Sequence, residues 1–193
     1  MAENLSKRVR AHLDGHRELF SRLDDLDSDV QAIAQNIAET LSAGGRVYLA
    51  GNGGSAADAQ HIAAEMEGRY LVDRPARAVH TLGANTSTLT SIGNDDGYHR
   101  VYARQIEGFV GRSDLIILIS TSGNSPNLLS AAESARAKGV PVIGLLGRGG
   151  GPLLSLCDKA LVVPSDHTPW IQEAHITLGH LICELCDVLM GPS

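Results

Sequence analysis

Residues 114–125 read DLIILISTSGNS, and the fold follows from how this stretch is built. Leu115 to Ile119 are apolar without alternation, the pattern of a strand buried on both faces rather than one. Hydroxyl residues and a glycine follow, and a helical pattern runs from Pro126 to Lys138. A buried strand that turns directly into a helix is the repeating unit of a parallel sheet covered by helices.

The same rhythm recurs on either side. Arg46–Ala50 (RVYLA) is a short apolar run that ends in Gly51-Asn52-Gly53-Gly54-Ser55, followed by a helical stretch from Ala56 to about Arg69. Residues 77–82 give another short strand, then a Thr/Ser-rich loop and helix, then a loop holding Asn94-Asp95-Asp96. Val140–Leu146 and Ala160–Val163 read as further strands, and 169–190 as a closing helix. Upstream, Leu5 to Ala43 reads as helix in two stretches. Val30, Ile33, Ala34, Ile37 and Leu41 fall on one face, Asp27 and Ser28 are candidate N-caps, and Gly44-Gly45 is the stop. One domain over 1–193 is expected, with N-terminal helices at 1–43 and an α/β core at 44–193.

Composition narrows the function. A net charge of −6 lacks the clustered cations that grip a phosphate backbone, so no nucleic-acid partner is expected. The first twenty residues are too polar for a signal peptide and no 18-residue apolar run exists, so no membrane partner is expected. Three cysteines do not make a disulfide framework, and Cys183 and Cys186 fall in a helical apolar pattern that suits buried small hydrophobes. The expected compartment is the cytoplasm.

Two strand ends carry chemistry. Gly51–Ser55 and Ser120–Ser125 each join a strand to a helix, where backbone N–H groups and a partial positive charge await an anion. The hydroxyls of Ser120, Thr121, Ser122 and Ser125 suit a phosphate monoester without any basic residue. Either cluster alone reads as a turn; two in one sheet point to a sugar phosphate. The glycine loop mimics a dinucleotide fingerprint, but the following strand does not end in the acidic residue a ribose needs, and no Walker sequence is present. On the helix after the glycine loop, His61 and Glu65 lie one turn apart. Gln172 and His180 lie eight residues apart on the closing helix, about 12 Å along its axis. They would meet at one point only by reaching toward each other or from different subunits.

GNGGSAADAQHIAAEMEGRY at 51–70, GND at 93–95, ISTSGNS at 119–125 and IQEAHITLGH at 171–180 together resemble the sugar isomerase (SIS) family. The likeness is to its members that act on sedoheptulose 7-phosphate, and it runs from about residue 40 to 190. It implies a three-layer α/β fold with a five-stranded parallel sheet, and a homotetramer with active sites at subunit interfaces. The implied reaction converts D-sedoheptulose 7-phosphate to D-glycero-D-manno-heptose 7-phosphate through an enediol, feeding bacterial heptose and lipopolysaccharide synthesis. Zinc, one Zn2+ per subunit, is implied at His61, Glu65, Gln172 and His180. The implied substrate contacts are Asn52, Gly53, Gly54, Ser55, Glu65, Asn94, Asp95, Ser120, Thr121, Ser122, Ser125 and Gln172. Glu65 is the expected base and His180 the proton carrier. The chain departs from the family just before Gln172, where Thr168-Pro169-Trp170 replaces a polar pair; Trp170 would stack on the sugar or line a subunit contact. The rival readings are an isomerase of another sugar phosphate, and a non-catalytic protein of this fold that associates with a replication initiator. The latter group lacks the carboxylate at Glu65.

Overall fold

The structure, a computed structural model, describes residues 2–191. Two helices open the chain, α1 (Ala2–Phe20) and α2 (Asp27–Ser42), joined by a short 3-10 turn. The core then alternates β1 (Val47–Gly51), α3 (Gly54–Glu67), β2 (Val79–Thr81), α4 (Thr86–Asp95), α5 (Ala103–Phe109) and β3 (Leu115–Ser120). It continues with α6 (Pro126–Ala137), β4 (Val142–Leu146), α7 (Gly151–Leu154), β5 (Lys159–Val162) and α8 (Thr168–Met190). All five strands pair in parallel in the order β2-β1-β3-β4-β5. This is the three-layer α/β architecture, and Leu115–Ser120 is its central strand, buried at every position.

The unbroken apolar runs are explained by the two faces they serve. Leu115, Ile117 and Ile119 pack with Leu49, Ile143 and Leu145 against α2, α3 and α8. Ile116 and Leu118 pack with Tyr48, Ala50, Val142 and Leu146 against α5 and α6. Side chains alternate across a strand, so a sheet covered on both sides needs an apolar residue at every place.

Two local expectations fail. Asp27 and Ser28 do not cap α2: Leu26 precedes the helix with no side-chain cap, and Asp27 is already its first residue. The Asp27 carboxylate instead accepts from Gln31 Nε2 at 2.8 Å, one turn further on. Asn94 and Asp95 do not lie in a loop but form the last turn of α4, which runs to Asp95 before Gly97 redirects the chain.

The strand order reverses between β1 and β3, since β1 leads outward to β2 while β3 leads the other way to β4 and β5. In open parallel sheets ligands bind in the crevice beyond the carboxyl ends of the strands at such a switch point. The two loops singled out in the sequence, Asn52–Gly54 and Thr121–Ser125, leave from those two strands.

Candidate active site

Between these loops lies a small polar cleft lined by Asn52, Ser55, Ser120, Thr121, Ser122, Ser125 and Gln172, of about 60 Å³. Its floor is set by the serine loop itself. The Ser120 hydroxyl accepts from the Gly123 N–H at 3.0 Å, and the Ser122 hydroxyl accepts from the Asn124 N–H at 3.3 Å. Gly123 has φ +58, and a Cβ there would overlap the Gly150 carbonyl, so only glycine lets the loops after β3 and β4 close together. The helices α3 and α6 begin at Gly54 and Pro126, each without a side-chain cap. Ser55, Ala56 and Leu128 already donate to the Asn52, Gly53 and Ser125 carbonyls, and Pro126 has no N–H, so the N–H groups of Gly54 and Asn127 are the ones left to an anionic ligand.

Asn52 is fixed by neighbours that the sequence reading did not select. Its amide and that of Asn127 bond each other reciprocally, at 2.9 Å and 2.8 Å, and the Tyr98 hydroxyl donates to Asn52 Oδ1 at 3.2 Å. Asn127 is buried at the start of α6. The end of β1 just before Asn52 is held by the Tyr102 hydroxyl, which donates to the Gly51 carbonyl. Asn94 and Asp95 are exposed and bonded to each other, Asn94 Nδ2 to Asp95 Oδ1 at 2.7 Å.

Further along α3 a second group assembles. His61 Nε2 lies 3.1 Å from Glu65 Oε1, and His180 Nε2 approaches the same oxygen at 3.4 Å. The two imidazoles meet edge to face at 5.1 Å, and the ring of Tyr70 stacks on His180 at 5.7 Å. One donor atom from each of His61, Glu65 and His180 falls within 4.8 Å of the others. Glu65 Oε2 is buried and has no hydrogen-bond partner. Two imidazoles and a carboxylate whose second oxygen is buried and unpartnered form a donor set that suits a divalent cation.

The remaining expected ligand stands apart. The Gln172 amide lies against Gly54 and lines the phosphate-sized cleft. His61 and Glu65 sit two and three turns beyond Gly54 on α3, roughly 10–17 Å along its axis. Gln172 thus shares the cleft with Asn52 and the serine loop in this chain.

Asp58 completes the polar face of α3. Positions 58, 61 and 65 fall at i, i+3 and i+7, one side of a helix. Burial raises the Asp58 carboxyl to about 6, with His61 pulling the other way, and its Oδ2 has no partner. The sequence signal for Asp58 was this helical spacing alone. Trp170 does not face the cleft in a way that stacks a sugar: its indole lies on the backbone of Gly15 and its Nε1 donates to His12 Nδ1 at 3.3 Å. Cys183 and Cys186 are buried on α8, where burial drives both thiols upward, Cys186 to about 12.

A fold with this switch-point cleft belongs to a defined class of sugar-phosphate proteins: the model of the SIS domain matches residues 11–147, and the chain is a member of that family. Within it, the chain is 48% identical to a phosphoheptose isomerase from Rhodospirillum rubrum, covering 93% of this chain and 95% of that one. It is 45% identical to a phosphoheptose isomerase from Akkermansia muciniphila, over 95% and 97% of the two chains. Among solved structures, the phosphoheptose isomerase of Neisseria gonorrhoeae superimposes with a TM-score of 0.90 at 37% identity, covering 95% of this chain and 99% of that one. No helix among the described residues is long and apolar enough to cross a membrane.

Proposed function

We propose that this chain is an aldose–ketose isomerase that converts D-sedoheptulose 7-phosphate to D-glycero-D-manno-heptose 7-phosphate. The observation that carries the reading is the meeting of a carboxylate with two imidazoles, Glu65 with His61 and His180, along the same helix α3 whose start borders the hydroxyl-lined cleft at the switch point.

The serine loop, with the Asn127 N–H at the start of α6, holds the 7-phosphate, and Asn52, Gly53, Gly54, Ser55, Asn94, Asp95 and Gln172 contact the sugar. Anchoring the phosphate fixes the far end of the sugar so that C1 and C2 reach Glu65. Glu65 removes a proton from C1, next to the C2 carbonyl, and the electron pair forms the enediol double bond as O2 takes a proton. Closing the carbonyl at C1 then releases the O1 proton while C2 receives one, so atoms and charge balance. His180, against the same Glu65 oxygen, relays protons between the sugar oxygens and the base.

His61, Glu65 and His180 would hold a zinc ion, one per subunit, with Gln172 as the fourth donor in an assembled homotetramer. When bound, the ion supplies Lewis-acid polarisation of the sugar oxygens. The reading also takes 1–193 as a single SIS domain working in the cytoplasm, with its sites at subunit interfaces.

The test is proton NMR of sedoheptulose 7-phosphate incubated with the purified protein, with added zinc and with a chelator. A heptose aldose signal that grows with time is the expected result. Its absence under every metal condition overturns the assignment.

A further inference from the structure

The contacts around Asn52 carry an inference that rests on the isomerase reading and deepens it. We propose that Asn127 is a positioning residue: with Tyr98 it fixes the Asn52 amide so that a single N–H points to the bound sugar.

An Asn side chain offers two N–H donors and one carbonyl with two lone pairs. In this structure Asn52 Oδ1 accepts from Asn127 Nδ2 at 2.8 Å and from the Tyr98 hydroxyl at 3.2 Å, which fills both lone pairs. Asn52 Nδ2 gives one of its hydrogens to Asn127 Oδ1 at 2.9 Å. One hydrogen on Nδ2 remains, and Asn52 lines the cleft between the two loops. The amide can therefore act on a ligand only as a donor, and its rotation is set by three bonds that must break together for it to turn.

The placement gives this pair a reach beyond one side chain. Asn52 follows β1 and Asn127 opens α6 after β3, the two strands that flank the switch point. Asn127 is 2% exposed, so its amide has no solvent alternative to Asn52. The pair ties the loop proposed to meet the sugar to the loop proposed to hold the phosphate. A buried amide with this reciprocal partner also resists exchange for a carboxylate, because two acceptor oxygens would then face each other.

The experiment compares wild type, Asn127→Asp and Tyr98→Phe in the full chain, following isomerisation of sedoheptulose 7-phosphate from pH 5.5 to 8.5. At pH 8 the Asn127→Asp carboxylate cannot donate to Asn52 Oδ1, and KM is expected to rise by about tenfold with kcat within about twofold. Burial at this position and the facing Asn52 carbonyl raise the introduced carboxyl, so that toward pH 5.5 it regains a proton, the donor returns, and the ratio of variant to wild-type kcat/KM climbs. A merely structural role would lower activity at all pH values together and would not produce this recovery. Tyr98→Phe removes one exposed hydroxyl, and a rise in KM of about two- to threefold is expected of it even where Asn127→Asp fails to fold. An active wild type with KM unchanged in both variants overturns the positioning role alone. A wild type that neither binds nor converts the sugar overturns the isomerase reading and, with it, this one.

Discussion

Glu65 and His180 belong to helices more than a hundred residues apart in sequence, yet the His180 imidazole and the His61 imidazole converge on one oxygen of Glu65, at 3.4 Å and 3.1 Å. The convergence depends on α3 packing against α8, where Ile62 and Met66 meet Leu178 and Ile182 in the core on one face of the sheet. The other Glu65 oxygen is buried and unpartnered. A carboxylate with one oxygen engaged and one spare is suited to both holding an ion and taking a proton.

Replacing Glu65 by Gln keeps the volume and removes the base. Sugar binding measured by calorimetry should persist, while turnover followed by NMR falls by about 10²- to 10⁴-fold. Substantial residual turnover would exclude Glu65 as the base.

The donor set makes a separate prediction about metal. Protein purified with zinc should retain the ion by elemental analysis, and His61→Ala and His180→Ala should each lose most of it. Chelation should abolish isomerisation, with zinc restoring it. Retention of one ion per chain in both variants would place the metal elsewhere.

The fold was legible because a parallel sheet covered on both faces writes its strands as unbroken apolar runs, and Leu115–Ile119 is the clearest. The two loops were legible because two glycine and hydroxyl clusters, each readable alone as a turn, fall at strand-to-helix junctions of one sheet. What escaped the sequence was contact across the fold. Asn127 reads as an ordinary polar residue near a helix start until β1 and β3 are side by side, and only then does it face Asn52. Asn94 and Asp95 looked like loop because Gly93 precedes them and Gly97 follows, but α4 runs through Gly93 and ends only at Asp95. Trp170 looked available to a ligand because nothing in the sequence tells that Gly15 of α1 offers it a flat seat.

The serine loop predicts dependence on the phosphate. Sedoheptulose lacking the 7-phosphate should be converted at least about a hundredfold less efficiently in kcat/KM, since remote binding energy positions the reacting carbons. Inorganic phosphate should compete with substrate, and Ser122→Asp should abolish binding of both by placing a negative charge in the cleft. Equal use of the free sugar would remove the phosphate role from this loop.

His175 gives stability a pH dependence. It is fully buried on α8, Nε2 donates to the Leu146 carbonyl at 3.0 Å, and Nδ1 has no partner. Burial lowers its pKa from 6.5 to about 4. The unfolded chain takes up this proton near 6.5 whereas the folded chain resists until about 4. Stability from the neutral ring is therefore complete above pH 6.5 and lost as pH falls toward 4, about 3 kcal/mol in all. Denaturant unfolding between pH 7.5 and 4 should show that loss, and His175→Asn should have a shallower slope over the same window. Identical slopes would assign the acid sensitivity to other groups.

Asp187 makes the sharpest claim about how the site is held. Its Oδ1 receives Arg74 Nε at 2.7 Å and Arg77 Nη1 at 2.8 Å, and all three side chains are almost wholly buried. Arg74 also donates to the carbonyls of Glu65 and Met66 at 2.9 Å each, and Arg77 to that of Cys186 at 3.1 Å. The cluster thus ties the end of α3, at the backbone of Glu65 itself, to the helix that carries His180. Asp187→Ala leaves two guanidinium groups buried without their counter-charge, which should destabilise the fold by about 3–5 kcal/mol. Because the same bonds seat Glu65, the part of the protein that remains folded should also turn over more slowly and bind zinc more weakly. Arg74→Met separates the two effects. It removes one of the two cations, so it should cost less stability than Asp187→Ala, while the carbonyls of Glu65 and Met66 still lose their clamp. Thermal unfolding together with zinc affinity measured on both variants decides the matter: a stable Arg74→Met protein with undiminished zinc affinity would show that the cluster holds the fold but not the site.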